Sequence, residues 1–291
     1  MTLSLGALIA PAATPVNEAG EIDTALLAAH CRHLLANGID QVLLFGTTGE
    51  GAAFSAAQKC GALDAVIEHG VSPTHLLLGT GTSAIEDAVR VVNHAAAAGC
   101  PASLVLPPFF PKPAHEDGIA AWFAALAART APAPLLLYNI PQTAGAGFTA
   151  ESAAHLLETV PSIVGLKDSS PGGLVAEALI ARGFTSIYAA QDSKLVDRHL
   201  SGAAGLISAT LDVAPQWARA ALDGDAAAFE RFRALSRVMD PYPLVWSVKV
   251  LLAHLHREPR LMGLTPPHAR GSAADAATLA AAFDDLLQCS S

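Results

Sequence analysis

"PLLLYNIPQTAGAGFTAESAAHLLETVPSIVGLKDS", residues 134 to 169, holds two short apolar runs on either side of an Ala/Leu-rich stretch. The outer runs, 134 to 141 and 162 to 169, are rich in Leu, Ile and Val and bounded by Pro, Gly and Ser, which reads as two strands. Residues 149 to 158 carry apolar positions at helical spacing behind Thr149, whose hydroxyl can cap a helix. Strand, helix and strand in sequence form a βαβ unit, which places the two strands parallel.

The same alternation extends in both directions. Strands are predicted at 6 to 15, 41 to 46, 75 to 81, 102 to 108, 186 to 192 and 205 to 211, making eight in all. Helical patterns fill 23 to 37, 55 to 69, 83 to 98, 115 to 130, 173 to 182 and 194 to 201. An open doubly wound sheet is the alternative, but eight short, evenly spaced units favour an α/β fold of the closed (β/α)8 TIM-barrel type. Beyond residue 212 only helices are expected, at 214 to 236, 243 to 256 and 273 to 288. The predicted division is a barrel over 1–222 and a C-terminal helical extension over 223–291.

The composition fits one large core. Of 291 residues, 52% are hydrophobic and 15% charged, with Ala dominating the excess. No apolar run reaches the roughly 18 to 20 residues a membrane helix needs, and the opening "MTLSLGALIAPAATP" lacks the basic start of a signal peptide. A cytoplasmic protein that does not act on membranes is expected. The net charge of −9 argues against nucleic acid as a partner. It also means that an anionic substrate needs local donors. Cys31, Cys60, Cys100 and Cys289 show no metal-site or disulfide spacing. His30 with His33, and His254 with His256, do not sit at strand ends, so no metal site is expected.

In a barrel the chemistry lies at the C-terminal ends of the strands. Lys167 is the one lysine of five that lies in a strand, near that end. By alternation it shares a face with Ile163 and Gly165. Burying an ammonium without a partner is costly, whereas a desolvated amine is the nucleophile that forms a Schiff base with a ketone. An ion pair with Asp168 is the alternative, although adjacent strand residues face opposite sides. Tyr138 closes the preceding strand, where its hydroxyl can move protons or simply bond the backbone. After the second strand, "FGTTGEG" places Thr47 and Thr48 between Gly46 and Gly49. Such a loop can turn hydroxyls and N–H groups toward a carboxylate, or it can be a plain tight turn.

Together, "GTTGE", "YNIP" and "GLKDSS" resemble the dihydrodipicolinate synthase/N-acetylneuraminate lyase family over most of the chain. The resemblance implies a Schiff-base lyase or aldolase acting on pyruvate or a related small 2-keto acid, without a cofactor, assembled as a homotetramer (a dimer of dimers). It implies Lys167 as the Schiff-base lysine, Tyr138 as the proton-transfer group, and Thr47 and Thr48, following Gly46, as the carboxylate holders. It also implies that the backbone near Ile207 lines the pocket and that Asp192 reaches the distal part of the substrate. Two positions depart from the lysine-pathway synthases. Phe109 and Phe110 stand where those synthases carry a tyrosine pair, and Thr143 stands where they carry an arginine, so both Phe110 and Thr143 are expected to shape a different distal site. A 2-keto-3-deoxy sugar acid type aldolase or dehydratase-aldolase is therefore expected ahead of 4-hydroxy-tetrahydrodipicolinate synthase. A non-catalytic 2-keto-acid sensor is the alternative outside enzymes.

Overall fold

Each of the eight apolar runs contains a strand: β1 Ile9–Pro11, β2 Gln41–Leu44, β3 Leu76–Gly79, β4 Ser103–Val105, β5 Leu135–Asn139, β6 Ile163–Asp168, β7 Ile187–Ala189 and β8 Gly205–Leu206. They appear in a computed structural model that describes residues 5–112, 114–130, 132–195 and 202–288. The strands form one sheet in chain order, and every neighbouring pair is parallel. The Leu206 N–H donates to the Ala7 carbonyl at 2.7 Å, and Leu8 bridges Leu206, so β8 closes on β1. The strands are shorter than the apolar runs because the runs continue into the loops that build the barrel mouth.

Alternation along the strands sorts the side chains. Ile9, Leu43, Leu77, Leu104, Leu136 and Tyr188 fill the interior, while Leu8, Val42, Leu76, Val105, Leu135 and Leu166 face the helices. Each fully buried leucine contributes about 1.5–3 kcal/mol. β6 breaks the simple period. Its register with β5 shifts so that Leu135 pairs Ile163 but Leu136 pairs Gly165. This irregularity turns Ile163 outward among the helix-facing residues, correcting the expectation that it shares a face with Lys167, and brings Val164 against the interior cluster.

The helices begin where short polar side chains can accept from the free N–H groups. Asp23 accepts from Leu26 at the start of Thr24–Ala36, and capping boxes of Ser55 with Gln58 and Thr149 with Ser152 open Ala56–Glu68 and Ala150–Thr159. Ile85–Ala98, Glu116–Ala127 and Leu174–Ala181 complete the ring as far as β7. The helix expected over 194–201 falls mostly outside the described residues, as does Cys289. The single helix expected over 214–236 is two helices, Pro215–Leu222 and Ala226–Met239. Gly224, with φ 106°, interrupts the first, and the Asp225 carboxylate caps the second by accepting from Ala228. Leu244–His256 and Ala273–Gln288 follow. Among the described residues, no helix is long and apolar enough to cross a membrane.

Candidate active site

Tyr138 on β5, Lys167 on β6 and Tyr188 on β7 are lateral neighbours in one register, which gives them a common inward face. Two residues below Lys167, a Cβ on Gly165 would lie 2.2 Å from the Ser186 carbonyl oxygen, so glycine permits the close approach of β6 to the segment entering β7. Lys167 is 4% exposed, and its Nζ lies 4.3 Å from the centroid of the Tyr138 ring. The alternative pairing with Asp168 does not form. That carboxylate points to the other face, where Oδ1 accepts from Asn139 Nδ2 at 3.0 Å and the Ser170 N–H at 2.9 Å, and Oδ2 accepts from the Ala176 N–H at 2.9 Å.

Burial alone does not distinguish this lysine, since Lys59 and Lys249 are buried too. Lys59 donates to the Thr80 carbonyl, and burial pushes its pKa down to about 8. Lys249 is paired with Glu50 and donates to the Thr14 and Gly263 carbonyls. Lys167 has no carboxylate partner among the described residues and opens on a cavity of about 490 Å³.

The Tyr138 hydroxyl is hydrogen-bonded to Thr47 Oγ1 at 3.0 Å. Burial pushes the phenol pKa up, but the Lys167 ammonium and polar contacts from Thr47, Ser169 and Lys167 outweigh it, so the pKa falls below its ordinary value. The arrangement is an amine, a phenol poised to lose its proton, and a hydroxyl that can pass that proton on.

The loop after β2 is held differently from the sequence expectation. The left-handed residues are Phe45 (φ 58°) and Glu50 (φ 54°), not the glycines between them. Gly49 and Gly51 are required for close approach, since Cβ atoms there would lie 2.7 Å from the Ala12 carbonyl oxygen and 1.9 Å from the Phe45 carbonyl oxygen. Glu50 anchors the loop from below. One carboxylate oxygen meets Lys249, and the other accepts from the Thr265 N–H at 2.7 Å and its hydroxyl at 2.6 Å. The C-terminal extension thereby fixes the turn that carries Thr47 and Thr48, a tie that no local motif marks.

Thr47, Thr48, Tyr138, Lys167, Asp192 and Ile207 all line the 490 Å³ cavity. Asp192 is 8% exposed. Its Oδ2 accepts from Thr210 Oγ1 at 2.5 Å, Oδ1 has no hydrogen-bond partner, and burial outweighs its hydroxyl contacts to raise its pKa. Gly46 and Thr143 border a second, more apolar cavity of about 230 Å³, which adjoins the first at Thr47 and Tyr138 and is also lined by Phe109 and His268. Phe110 is 86% exposed and lines neither. Sequence reasoning missed Gln142, Ser169, Ser208, Arg233 and Arg237 on the larger cavity. Ser169 and Ser208 directly follow recognised strand residues, but nothing local marks the helix that brings the two arginines.

The two histidine pairs of the sequence, His30 with His33 and His254 with His256, are engaged elsewhere. His30 Nε2 meets Asp212 Oδ1 at 2.8 Å, His254 pairs with Asp284, and the His33 and His256 rings meet edge to face. Among the described residues no cluster of three His, Cys, Asp or Glu could hold a metal ion.

The chain is similar to known proteins along most of its length. Residues 4–255 match the family described as the dihydrodipicolinate synthetase family. The 4-hydroxy-tetrahydrodipicolinate synthase of Parasynechococcus marenigrum (strain WH8102) is 33% identical over 253 residues, covering 82% of this chain and 83% of that protein. An uncharacterized DapA-like lyase of Chloroflexus aurantiacus is 34% identical over 244 residues, 80% and 81% of the two chains. The crystal structure of dihydrodipicolinate synthase from Agrobacterium tumefaciens str. C58 superposes with a TM-score of 0.91 at 30% identity, covering 97% of this chain and 99% of that one. The chain belongs to the dihydrodipicolinate synthetase family and is a class I, Schiff-base lyase of the aldolase type.

Proposed function

We propose that the protein cleaves a 4-hydroxy-2-keto acid of the 2-keto-3-deoxy sugar acid type to pyruvate and an aldehyde. The observation that carries this reading is Lys167, buried and without a carboxylate partner among the described residues, beside a phenol linked to the Thr47 hydroxyl. The Lys167 side-chain nitrogen attacks the keto carbon, and Tyr138, with Thr47, moves the protons that turn the carbinolamine into an iminium and water. The iminium draws in the electrons of the C3–C4 bond as Tyr138 accepts the C4 hydroxyl proton, releasing the aldehyde and leaving an enamine. Protonation at C3 and hydrolysis free pyruvate and regenerate the amine.

Thr47 and Thr48 hold the 2-keto carboxylate, Ile207 borders it, and Asp192 meets a hydroxyl farther along the substrate. Gly46 and Thr143 shape the adjoining apolar space. Phe110, exposed on a single chain, serves as a contact residue of a cytoplasmic homotetramer, consistent with the behaviour of large exposed apolar groups. The functional boundary follows Leu222, between the barrel and the helices that brace it.

The names of several relatives favour a second reading, 4-hydroxy-tetrahydrodipicolinate synthase. Against it stand Phe110, which has no phenol to relay protons, and Thr143, which offers one hydroxyl where a charged donor pair is expected. A missing relay lowers a rate by about 10²-fold or more. A missing charged hydrogen bond removes about 1.5 to 3 kcal/mol. The deciding experiment compares pyruvate release from 2-keto-3-deoxygluconate with reductase-coupled condensation of pyruvate and aspartate semialdehyde. Cleavage with little condensation is expected; condensation near 10 per second, an ordinary metabolic rate, restores the synthase reading.

A further inference from the structure

The turn that carries Thr47 and Thr48 is closed on itself, since the Glu50 N–H donates to the Thr47 carbonyl at 3.1 Å. That bond occupies its first carbonyl and its last N–H. The N–H of Thr48, a central residue of the turn, is left for another acceptor, and Thr48 is buried on the wall of the Lys167 cavity. The peptide unit between Gly49 and Glu50 decides what the turn presents, because its N–H is the one that keeps the Thr47 carbonyl engaged. Its other end is held from the loop after β1. Thr14, 1% exposed and lining neither cavity, donates its hydroxyl to the Gly49 carbonyl at 2.8 Å. The two loops are in close contact: a Cβ on Gly49 would lie 3.2 Å from Thr14 Oγ1.

Thr14 is itself fixed on both sides. Its carbonyl accepts from Lys249 Nζ at 2.8 Å, and the preceding Ala13 N–H donates to Asp212 Oδ2 at 2.9 Å, on the carboxylate that also meets His30. The hydroxyl therefore has a set position from which it pins one glycine carbonyl, at a residue whose backbone is otherwise the freest to rotate. Release of that carbonyl lets the peptide unit turn, withdraws the Glu50 N–H and leaves the Thr47 carbonyl without a donor beside the cavity. A carbonyl dipole facing the cavity repels an anion. We infer that Thr14 is a positioning residue for recognition of the 2-keto carboxylate: its clamp on the Gly49–Glu50 peptide keeps the Thr48 N–H, and not a carbonyl oxygen, directed at that group. The pair of Glu50 and Lys249 anchors the turn as a whole, whereas Thr14 sets the orientation of one peptide within it. The inference rests on the reading that Thr47 and Thr48 hold the carboxylate, and it adds a residue that never touches the substrate.

The test measures the half-saturating concentration for borohydride trapping of the purified protein with pyruvate and with pyruvamide, its neutral isostere. Pyruvate should half-saturate at the lower concentration, and the ratio of the two values reports carboxylate recognition. Thr14→Val keeps the size of the side chain and removes its hydroxyl. It should raise the pyruvate value by about 10- to 100-fold, the scale of a hydrogen bond to a charged group, and leave the pyruvamide value essentially unchanged. Thr14→Ser, which retains the hydroxyl, should keep most of the preference. Thr14→Ala is a second hydroxyl-free variant should the valine prevent folding, and melting temperatures show which variants are folded. Equal rises for both ligands would mark a general loosening and overturn the inference, as would a pyruvate value unmoved in a folded hydroxyl-free variant. A parent protein that traps pyruvamide as readily as pyruvate also overturns it, because no carboxylate site is then present to be positioned. Failure of the parent to be trapped with either ligand would sink the Schiff-base reading, and the inference with it.

Discussion

A buried phenol next to an ammonium has two opposing influences on its proton, and at Tyr138 the ammonium and the hydrogen bonds win. The consequence is measurable by ultraviolet titration. Tyr138 should ionise below the ordinary value of 10.0, whereas Tyr188, buried near Asp40, should ionise only at about 12. The low step should vanish in Tyr138→Phe. It should move up in Lys167→Met, because the ammonium no longer opposes burial. Tyr138→Phe should also slow turnover by about 10²- to 10⁴-fold; a near-normal rate would mean that another group carries the protons. Lys167 was legible in the sequence because it alone among the lysines ends a strand. Its burial would not have identified it, since Lys59 and Lys249 are buried as well. What separates them is the partner each has, which depends on contacts between residues far apart in the chain.

At the scale of elements, the active-site loop is only as fixed as its attachment to the helix Leu244–His256. Lys249→Met leaves Glu50 buried and unpaired, a loss of about 3–5 kcal/mol. The expected outcome is a lower melting temperature together with a raised half-saturating concentration of pyruvate, because Glu50 no longer pins the turn bearing Thr47 and Thr48. Adding Glu50→Gln to Lys249→Met should recover part of the stability. If the single variant matches the parent in both measurements, the pair does not hold the loop. The eight strands were readable from short apolar runs with turn residues between them, since that pattern depends on nearest neighbours. The irregularity that turns Ile163 outward was not, because it arises from the fit of β6 against β5. The break at Gly224 was visible in "DGD" but was outweighed by the alanine-rich surroundings.

Across the whole molecule, the extension docks on the barrel partly through His256, whose ring meets His33. Burial first, and then the neighbouring histidines, push both pKa values below the ordinary 6.5, while Asp212 pulls the other way. Both rings are therefore neutral in the folded protein where the unfolded chain already binds protons. Stability is unaffected well above pH 6.5, falls as the pH drops through that value, and levels off once the folded pKa values are passed. Denaturant unfolding at a series of pH values should show this loss, and His256→Leu should reduce it. A pH-independent stability across that range would contradict the account. The extension was expected from the end of the strand pattern, but its contribution of Arg233, Arg237 and Glu50's partner Lys249 to the site could not be, because helical sequence does not state which surface it covers. The central claim is that Lys167 is the nucleophile. The most direct measurement treats the protein with pyruvate and borohydride, then locates the adduct by mass spectrometry of peptides. The account predicts one irreversible adduct per chain, on the peptide containing Lys167, and none in Lys167→Ala. Labelling of Lys59, Lys112 or Lys194 instead, or persistence of the adduct in the variant, would contradict it.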